Sequence, residues 1–217
     1  QGEEAKGEAN DLAVILRYGS LPVAFEISAV SKVSGTLGAD SLQSGMIAGL
    51  VGLALVAVVL LGVYRSLGVV GMIGLSVFGA LLITILGLLG AAIGLTITLA
   101  GVTVLIVSVG ITADSYIVYY ERIKEKIRQG YEVDEAVSEG FKAAFRTILT
   151  ADTVTLLSAG VLGALAIGAV KGFAISLGIA TILDIFIART YTRRAVAVLA
   201  GTRFGDGGWF SIAGAAK

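Results

Sequence analysis

The stretch GVTVLIVSVGITADSYIVYY, residues 101–120, is apolar along nearly its whole length and carries one charged side chain, that of Asp114. A helix of about 20 apolar residues crosses the hydrocarbon core of a bilayer, which is roughly 30 Å thick. A charged aspartate near the centre of such a helix costs roughly 2.5–3.5 kcal/mol on insertion scales. The stretch therefore predicts a membrane-spanning helix in which a partner, a water-filled cavity or a function offsets the cost of the carboxylate.

The composition of the whole chain favours a membrane protein. Hydrophobic residues make up 56% and charged residues 15% of the 217 residues, and the mean hydropathy is +0.93. Soluble domains rarely have this balance. The formal net charge is +0 and no basic tract is present, so we expect no nucleic-acid partner.

The chain contains no cysteine and no histidine. This absence excludes disulfides, thiol catalysis, the usual zinc sites and a Ser-His-Asp triad. We therefore expect no enzymatic activity, no cofactor and no metal. Without histidine, carboxylates are the side chains best suited to bind and release a proton.

Four further runs are long and apolar enough to cross a bilayer. A soluble helix bundle with so many apolar runs would have almost no polar surface, so we predict an all-α membrane protein, a polytopic helical bundle over residues 43–195. The five predicted spans cover residues 45–64, 68–89, 101–120, 147–168 and 172–190. The expected breaks between them are Arg65-Ser66, residues 91–101, residues 121–146 and Lys171-Gly172.

The segments around the spans are more polar. Residues 1–42 contain the only proline and an alternating stretch, VAFEISAV (23–30), that predicts a β-strand, and we interpret them as the tail of an extracytoplasmic domain. Residues 121–146 are amphipathic and predict a helical elbow along the inner membrane surface, with Gly130 as the stop between two helices. Residues 196–217 are predicted to be a C-terminal tail.

The distribution of basic residues predicts the orientation. Of the 16 Lys and Arg residues, 12 lie on one side of the predicted bundle, namely at Arg65, within residues 121–146 and after residue 188. Cytoplasmic loops of membrane proteins carry an excess of Lys and Arg. We therefore expect the loop 121–146 and the C-terminal tail to be cytoplasmic and the N-terminal segment to be extracytoplasmic.

Glycines recur at close spacing in the predicted spans, as at Gly45 and Gly49 and at Gly71 and Gly74. Small residues let membrane helices approach each other closely, which is how such helices associate without a hydrophobic driving force. We predict that these glycines serve helix packing and not ligand binding.

Three aspartates lie inside the predicted spans: Asp114, Asp152 and Asp184. Each is five or six residues from the cytoplasmic end of its span, which is roughly 8–9 Å at 1.5 Å per residue. Each of three helices thus places one carboxyl group at a similar depth in the membrane, and the three carboxyl groups form one layer. Hydroxyl groups that could hold a water chain surround this layer, at Thr112, Ser115, Thr150, Thr153, Thr155 and Ser158.

Each aspartate taken alone has a second interpretation, a neutral acid hydrogen-bonded to a neighbouring helix. We favour that interpretation for Asp184, because Arg189 and Arg193 follow closely and could pair with it. Burial and neighbouring carboxylates both favour the protonated form of an aspartate. Three acids in one layer therefore predict a proton or ion pathway. The predicted pathway residues are Asp114, Asp152, Asp184, Thr150 and Ser115.

Several motifs resemble the SecD family of protein-export membrane proteins, which belongs to the RND superfamily. The stretch GITADSYIVYYERIKEKIRQG (110–130) is similar to the family's fourth-span motif, an Asp followed by an E-R-I-type cytoplasmic start. The resemblance extends along nearly the whole chain. It is carried also by EANDLAVILRYGSLPVAFEI (8–27), VSGTLGADSLQSGMIAG (33–49), GFKAAFRTILTAD (140–152) and VKGFAISLGIATILD (170–184).

This resemblance implies one half of an RND-type unit, preceded by a further span and a large periplasmic domain. Such a unit pairs with SecF in the inner (cytoplasmic) membrane, uses the proton-motive force and assists the export of unfolded secreted polypeptides through the SecYEG translocon. Asp114 matches the proton-carrying acid of the fourth-span motif. The fifth span departs from the family pattern, because Thr150 and Asp152 stand where many members carry Asp and Asn. Asp184 stands where many have a small polar residue, and both departures are similar to the actinobacterial branch.

Two other functions remain open from the residues. A small-molecule or lipid exporter of the RND type would also use intramembrane acids. The presence of Asp114 therefore does not distinguish such an exporter from a SecD-type protein. A structural scaffold that holds a membrane complex together would need no titrating acid at all.

Overall fold

The computed structural model describes the backbone of residues 35–93 and 99–202, and the side chains of residues 43–92 and 101–202. The regular structure of these residues is helical. The helices are α1 (Gly35–Tyr64), α2 (Ser66–Ile93), α3 (Leu99–Arg128), α4 (Val133–Leu165), α5 (Gly168–Ile187), a π-helical turn (Ala188–Thr192) and α6 (Arg193–Ala200). The strand predicted at residues 23–30 and most of the predicted C-terminal tail lie outside the described residues.

Within the described residues, five helical segments are long and apolar enough to cross a bilayer: α1, α2, α3, α4, and the continuous helix formed by α5, the π-helical turn and α6. Their outer surfaces are apolar, as with Leu50, Val58 and Leu157, each about two-thirds exposed. Side chains of this kind are stable against lipid tails, and helices satisfy all of their own backbone hydrogen bonds there. These features confirm the predicted all-α bundle.

The densest packing surrounds the polar end of α3. Tyr116, Tyr119 and Tyr120 are almost completely buried there, against Tyr64 of α1 and Phe141 of α4. The ring centroids of Tyr64 and Tyr120 are 5.4 Å apart, and those of Tyr119 and Phe141 are also 5.4 Å apart in an edge-to-face arrangement. Aromatic pairs at these distances add to the stabilisation from burial. The cluster fixes α3, which carries Asp114, against its neighbours.

Glycines allow α1 and α2 to approach α3, as predicted. A Cβ atom at Gly74 would overlap the hydroxyl group of Tyr116. A Cβ atom at Gly49 would come within 3.2 Å of Ile106, and one at Gly45 within 3.5 Å of Val102. These glycines are therefore packing positions.

The loop between α3 and α4 is shorter than predicted. The expected elbow along the membrane surface is wrong, because residues 121–128 continue α3 and residues 133–146 belong to α4. No helix-breaking residue lies between Tyr120 and Arg128, and the apolar positions of the amphipathic pattern, such as Ile123 and Val137, are buried within the bundle. The predicted stop at Gly130 is confirmed, since this residue has a φ of +93°.

The connection between α4 and α5 lies earlier than predicted. The helix interruption is at Ala166 and Ile167, both in extended conformation, and Gly168 follows with a φ of +60°. The sequence placed the break at Lys171-Gly172, which instead lies inside α5. The reason is that residues 166–170 are apolar and carry no charge to mark the turn. The predicted break at Arg65-Ser66 is confirmed by the turn at Arg65, whose φ is 49°.

Candidate functional site

A groove of about 470 Å³ opens between α3 and α4, and we call it the acidic groove. Its polar side chains are contributed by both helices, and apolar residues complete its walls. The lining residues are Val107, Gly110, Ile111, Asp114, Ser115, Val118, Thr147, Ile148, Ala151, Asp152 and Thr155. The groove is large enough for several water molecules and has polar groups to bind them.

Helical periodicity gives Asp114 and Ser115 different environments. Residues 107, 111, 114 and 118 recur every three or four positions and form the α3 wall of the groove. Asp114 lies on this wall and is exposed, whereas Ser115 is turned about 100° further around the helix and is buried. One helix therefore presents a carboxylate to the groove and a hydroxyl to the bundle behind it.

Asp184 of α5 lies behind the groove. Its side chain is buried, and its Oδ2 atom accepts a hydrogen bond of 2.8 Å from the hydroxyl of Ser115. The buried residue Thr112, one turn earlier on α3, lies beside the same carboxyl group. This hydrogen bond gives the buried acid a neutral partner on α3.

Asp152 of α4 connects the groove to the buried acid. It lines the groove with Asp114 but is only 2% exposed. Its Oδ2 atom has no hydrogen-bond partner among the described residues. Asp152 is also close enough to Asp184 for their charges to interact, so the ionised forms would repel each other. A buried carboxyl oxygen without a partner at the wall of a groove has room to accept a hydrogen bond from a molecule in the groove.

The arrangement brings together four of the five predicted pathway residues. Asp114, Asp152 and Ser115 line the groove, and Ser115 contacts Asp184. Thr150 is elsewhere: its side chain is exposed, and its hydroxyl donates to the carbonyl of Arg146 in its own helix. The groove instead contains the threonines Thr147 and Thr155, of which the sequence singled out only the second.

The pairing of Asp184 with Arg189 or Arg193 does not occur. The guanidinium carbon of Arg189 lies 5.5 Å from the ring centroid of Phe145, and that of Arg193 lies 5.2 Å from the ring centroid of Phe141. Both arginines therefore contact α4, away from the buried carboxyl. The prediction failed because proximity along the sequence did not show that these side chains contact aromatic rings of α4.

The structure contains a second polar cluster that was not predicted from the sequence. The hydroxyl of Tyr64 and the ammonium group of Lys124 both donate to the Oε1 atom of Glu121, at 2.9 and 3.1 Å. The Lys124 ammonium also lies 4.2 Å from the ring centroid of Tyr64. Lys124 is buried although its sequence context is typical of a solvated face. The cluster joins the end of α1 to α3 and is internally paired, so we interpret it as structural.

Comparison with known proteins gives matches along most of the chain. Residues 29–215 match the MMPL family. The protein translocase subunit SecD of Mycobacterium tuberculosis (strain H37Rv) is 49% identical over 179 residues, which are 82% of this chain and 31% of that protein. The protein translocase subunit SecD of Streptomyces coelicolor is 42% identical over 197 residues, 91% of this chain and 35% of that protein.

The solved structures agree with these matches. The crystal structure of SecDF from Thermus thermophilus, a translocon-associated membrane protein, superposes with a TM-score of 0.75 at 34% identity and covers 89% of this chain and 26% of that chain. The predicted resemblance to SecD is thus confirmed. The chain spans about a third of the length of these two curated relatives.

Proposed function

Because this chain belongs to the MMPL family, we propose that it is the membrane part of a SecD-like translocase subunit that couples proton movement to the export of unfolded polypeptides. Its relatives in Mycobacterium and Streptomyces are named protein translocase subunits. The chain corresponds to only part of their length, so the activity of the whole protein is inferred here from the acidic groove and from this similarity.

The observation that carries the proposal is the shared position of Asp114 and Asp152 on the acidic groove. Asp114 lies at the open side and Asp152 at the buried side, so a proton that enters from water at the first carboxyl has a second acceptor further inside. Asp184 lies behind Asp152 and is held by Ser115. Protonation of Asp152 or Asp184 removes the repulsion between these two acids. A change of charge at the groove can thereby bias the packing of α3, α4 and α5.

The surface around the open side of the groove also favours contact with a partner protein. Val107 and Val118 flank Asp114 along α3, so the exposed carboxyl lies in an otherwise apolar surface. A carboxylate that faces lipid is costly, whereas one that faces a hydrated seam between two helical halves is not. We propose that this surface meets SecF in the inner membrane and that the pair assists the SecYEG translocon. In this arrangement the α3–α4 loop is cytoplasmic and the N-terminal segment, predicted as residues 1–42, is extracytoplasmic.

The test is the Asp114→Asn variant of the full-length protein. This substitution keeps the size of the side chain and removes its ability to bind and release a proton. In spheroplasts with an imposed proton gradient, we expect wild-type protein to accelerate release of a secreted protein and Asp114→Asn to abolish that acceleration. Asp134→Asn is the matched control, because Asp134 is an exposed acid in the first turn of α4 and lies outside the groove. Equal release by Asp114→Asn and wild type would refute the proposal. Normal release with loss of small-molecule or lipid efflux would identify an exporter instead.

A further inference from the structure

Two arginines and two phenylalanines form a cluster that lies nearer the N-terminus of α4 than the acidic groove. Arg189 lies over Phe145 and Arg193 lies over Phe141. The two phenyl rings are themselves stacked, with centroids 5.3 Å apart and planes inclined by 23°. We call these four residues the arginine stack. On α4, Phe145 lies on nearly the same face as Asp152, seven residues earlier and roughly 10 Å away along the helix axis.

Neither guanidinium group of the arginine stack has an ion-pair partner among the described residues. The salt bridges in that part of the chain join Arg122 with Glu125, Lys124 with Glu121, and Lys142 with Glu139. The acid nearest to Phe141 along α4 is Glu139, which already pairs with Lys142 at 2.6 Å. The stack therefore holds two positive charges that the surrounding side chains do not neutralise.

At 5.5 and 5.2 Å from the ring centroids, the guanidinium groups of Arg189 and Arg193 contact the rings and keep N–H donors for a further partner. The fork geometry of these donors matches two oxygens of a phosphate or carboxylate. Because the rings fix the orientation of Arg189 and Arg193, less side-chain entropy is lost when an anion binds. Both guanidinium groups are on exposed residues, so an anion can reach them.

The position along the helices indicates what kind of anion fits. Arg189 is two residues beyond the end of the 20-residue helix α5, and Phe145 is two residues before the predicted span 147–168 of α4, so the stack lies at the boundary of the predicted hydrocarbon layer. One turn deeper, Phe186 and Leu149 are 59% and 42% exposed, and Ile182 is 60% exposed one further turn along α5. An apolar surface therefore continues from the charged site into the membrane.

We propose that the arginine stack binds the phosphate group of an anionic phospholipid, whose acyl chain lies along Phe186, Ile182 and Leu149. A free anion would use the guanidinium groups but gain nothing from the apolar surface beneath them. Anionic headgroups are attracted to basic residues at the membrane boundary, and this side of the bundle carries most of the Lys and Arg residues. The site is separate from the acidic groove and does not depend on proton coupling.

The experiment titrates phosphatidylglycerol and phosphatidylcholine into the detergent-solubilised full-length protein and counts bound lipids by native mass spectrometry. Wild type should prefer phosphatidylglycerol, and Arg189→Gln/Arg193→Gln should weaken that binding about tenfold. The matched control is Arg122→Gln/Lys142→Gln, which removes the same charge from two exposed ion pairs on the same side and should keep the preference. Equal binding by the two double variants would overturn the proposal.

Two further measurements distinguish the phospholipid from other ligands that the site could bind. Inorganic phosphate at millimolar concentration should not displace phosphatidylglycerol, and displacement would assign the site to a soluble anion. A polypeptide that co-purifies with wild type and is lost from Arg189→Gln/Arg193→Gln, without any change in lipid binding, would assign the surface to a protein partner. If the Gln variant does not fold, Arg189→Lys/Arg193→Lys keeps the charge but loses the forked donors. It should bind phosphatidylglycerol about threefold more weakly, and wild-type affinity would refute the role of the stacked guanidinium groups.

Discussion

Ser115 donates a hydrogen bond of 2.8 Å to Asp184 and so links α3 to α5 directly behind the acidic groove. Its neighbour along the chain, Asp114, faces the groove itself. A small rotation of α3 would therefore move the exposed carboxyl and strain the buried hydrogen bond at the same time. This geometry gives the bundle a way to sense events at Asp114 from the opposite side of the helix.

The first prediction concerns this hydrogen bond. Ser115→Ala removes the hydroxyl from the buried carboxyl of Asp184, and loss of a buried hydrogen bond typically costs about 1–3 kcal/mol. We expect a lower melting temperature of the purified protein in detergent. Ser158→Ala is the control, because the hydroxyl of Ser158 is exposed and donates only to a carbonyl of its own helix. Equal melting temperatures for both variants would show that the hydrogen bond contributes nothing.

The second prediction concerns the contact of α2 with α3. In Gly74→Ala the new methyl group would overlap the hydroxyl of buried Tyr116, and overpacking of this kind typically costs about 1–3 kcal/mol. Gly79→Ala, on the same helix but with open space around it, should be neutral or stabilising. Adding Tyr116→Phe should rescue Gly74→Ala in part in a thermal melt, because the new Cβ atom also comes within 2.9 Å of Cζ of Tyr116 and 3.0 Å of the ring of Tyr191. Failure of the rescue would mean that the hydroxyl is not the source of the clash.

The third prediction concerns orientation. Single cysteines at Ser28 and Gln129 can be labelled without background, because the chain has no cysteine of its own. Gln129 lies in the exposed turn between α3 and α4. In intact cells, a membrane-impermeant maleimide should label Ser28→Cys and should reach Gln129→Cys only after permeabilisation. Labelling of Gln129→Cys from outside would reverse the topology.

The sequence predicted the helices well because each apolar run has the length that a bilayer requires, and it predicted the layer of acids because helical rise converts residue counts into depth. Contacts that depend on rotation around each helix could not be predicted in the same way. Thr150 and Asp152 are two residues apart, yet only Asp152 faces the groove. Arg189 is five residues from Asp184, which places it about 140° around the helix, and there it contacts Phe145. The position of the turn at Ala166 also could not be predicted, because this turn is apolar and carries no charged residue.

The last prediction concerns Asp152, for which the structure distinguishes a functional acid from a structural one. Its buried Oδ2 atom has no partner among the described residues, and its charge is close to that of Asp184. The carboxylate therefore gains little from its surroundings. Asp152→Asn keeps the volume of the side chain and removes the repulsion, so we expect an unchanged or higher melting temperature.

Transport should respond in the opposite direction. If a proton passes from Asp114 through the groove to Asp152, Asp152→Asn should slow gradient-dependent release of a secreted protein without abolishing it, because the carboxyl group of Asp114 is still present. Asp134→Asn again controls for loss of one negative charge, and both rates should be normalised to the amount of folded protein in the membrane. A structural acid would give the reverse result, in which Asp152→Asn lowers the melting temperature and leaves the rate per folded molecule unchanged. That outcome would remove Asp152 from the pathway and leave Asp114 as the acid that exchanges protons with the groove.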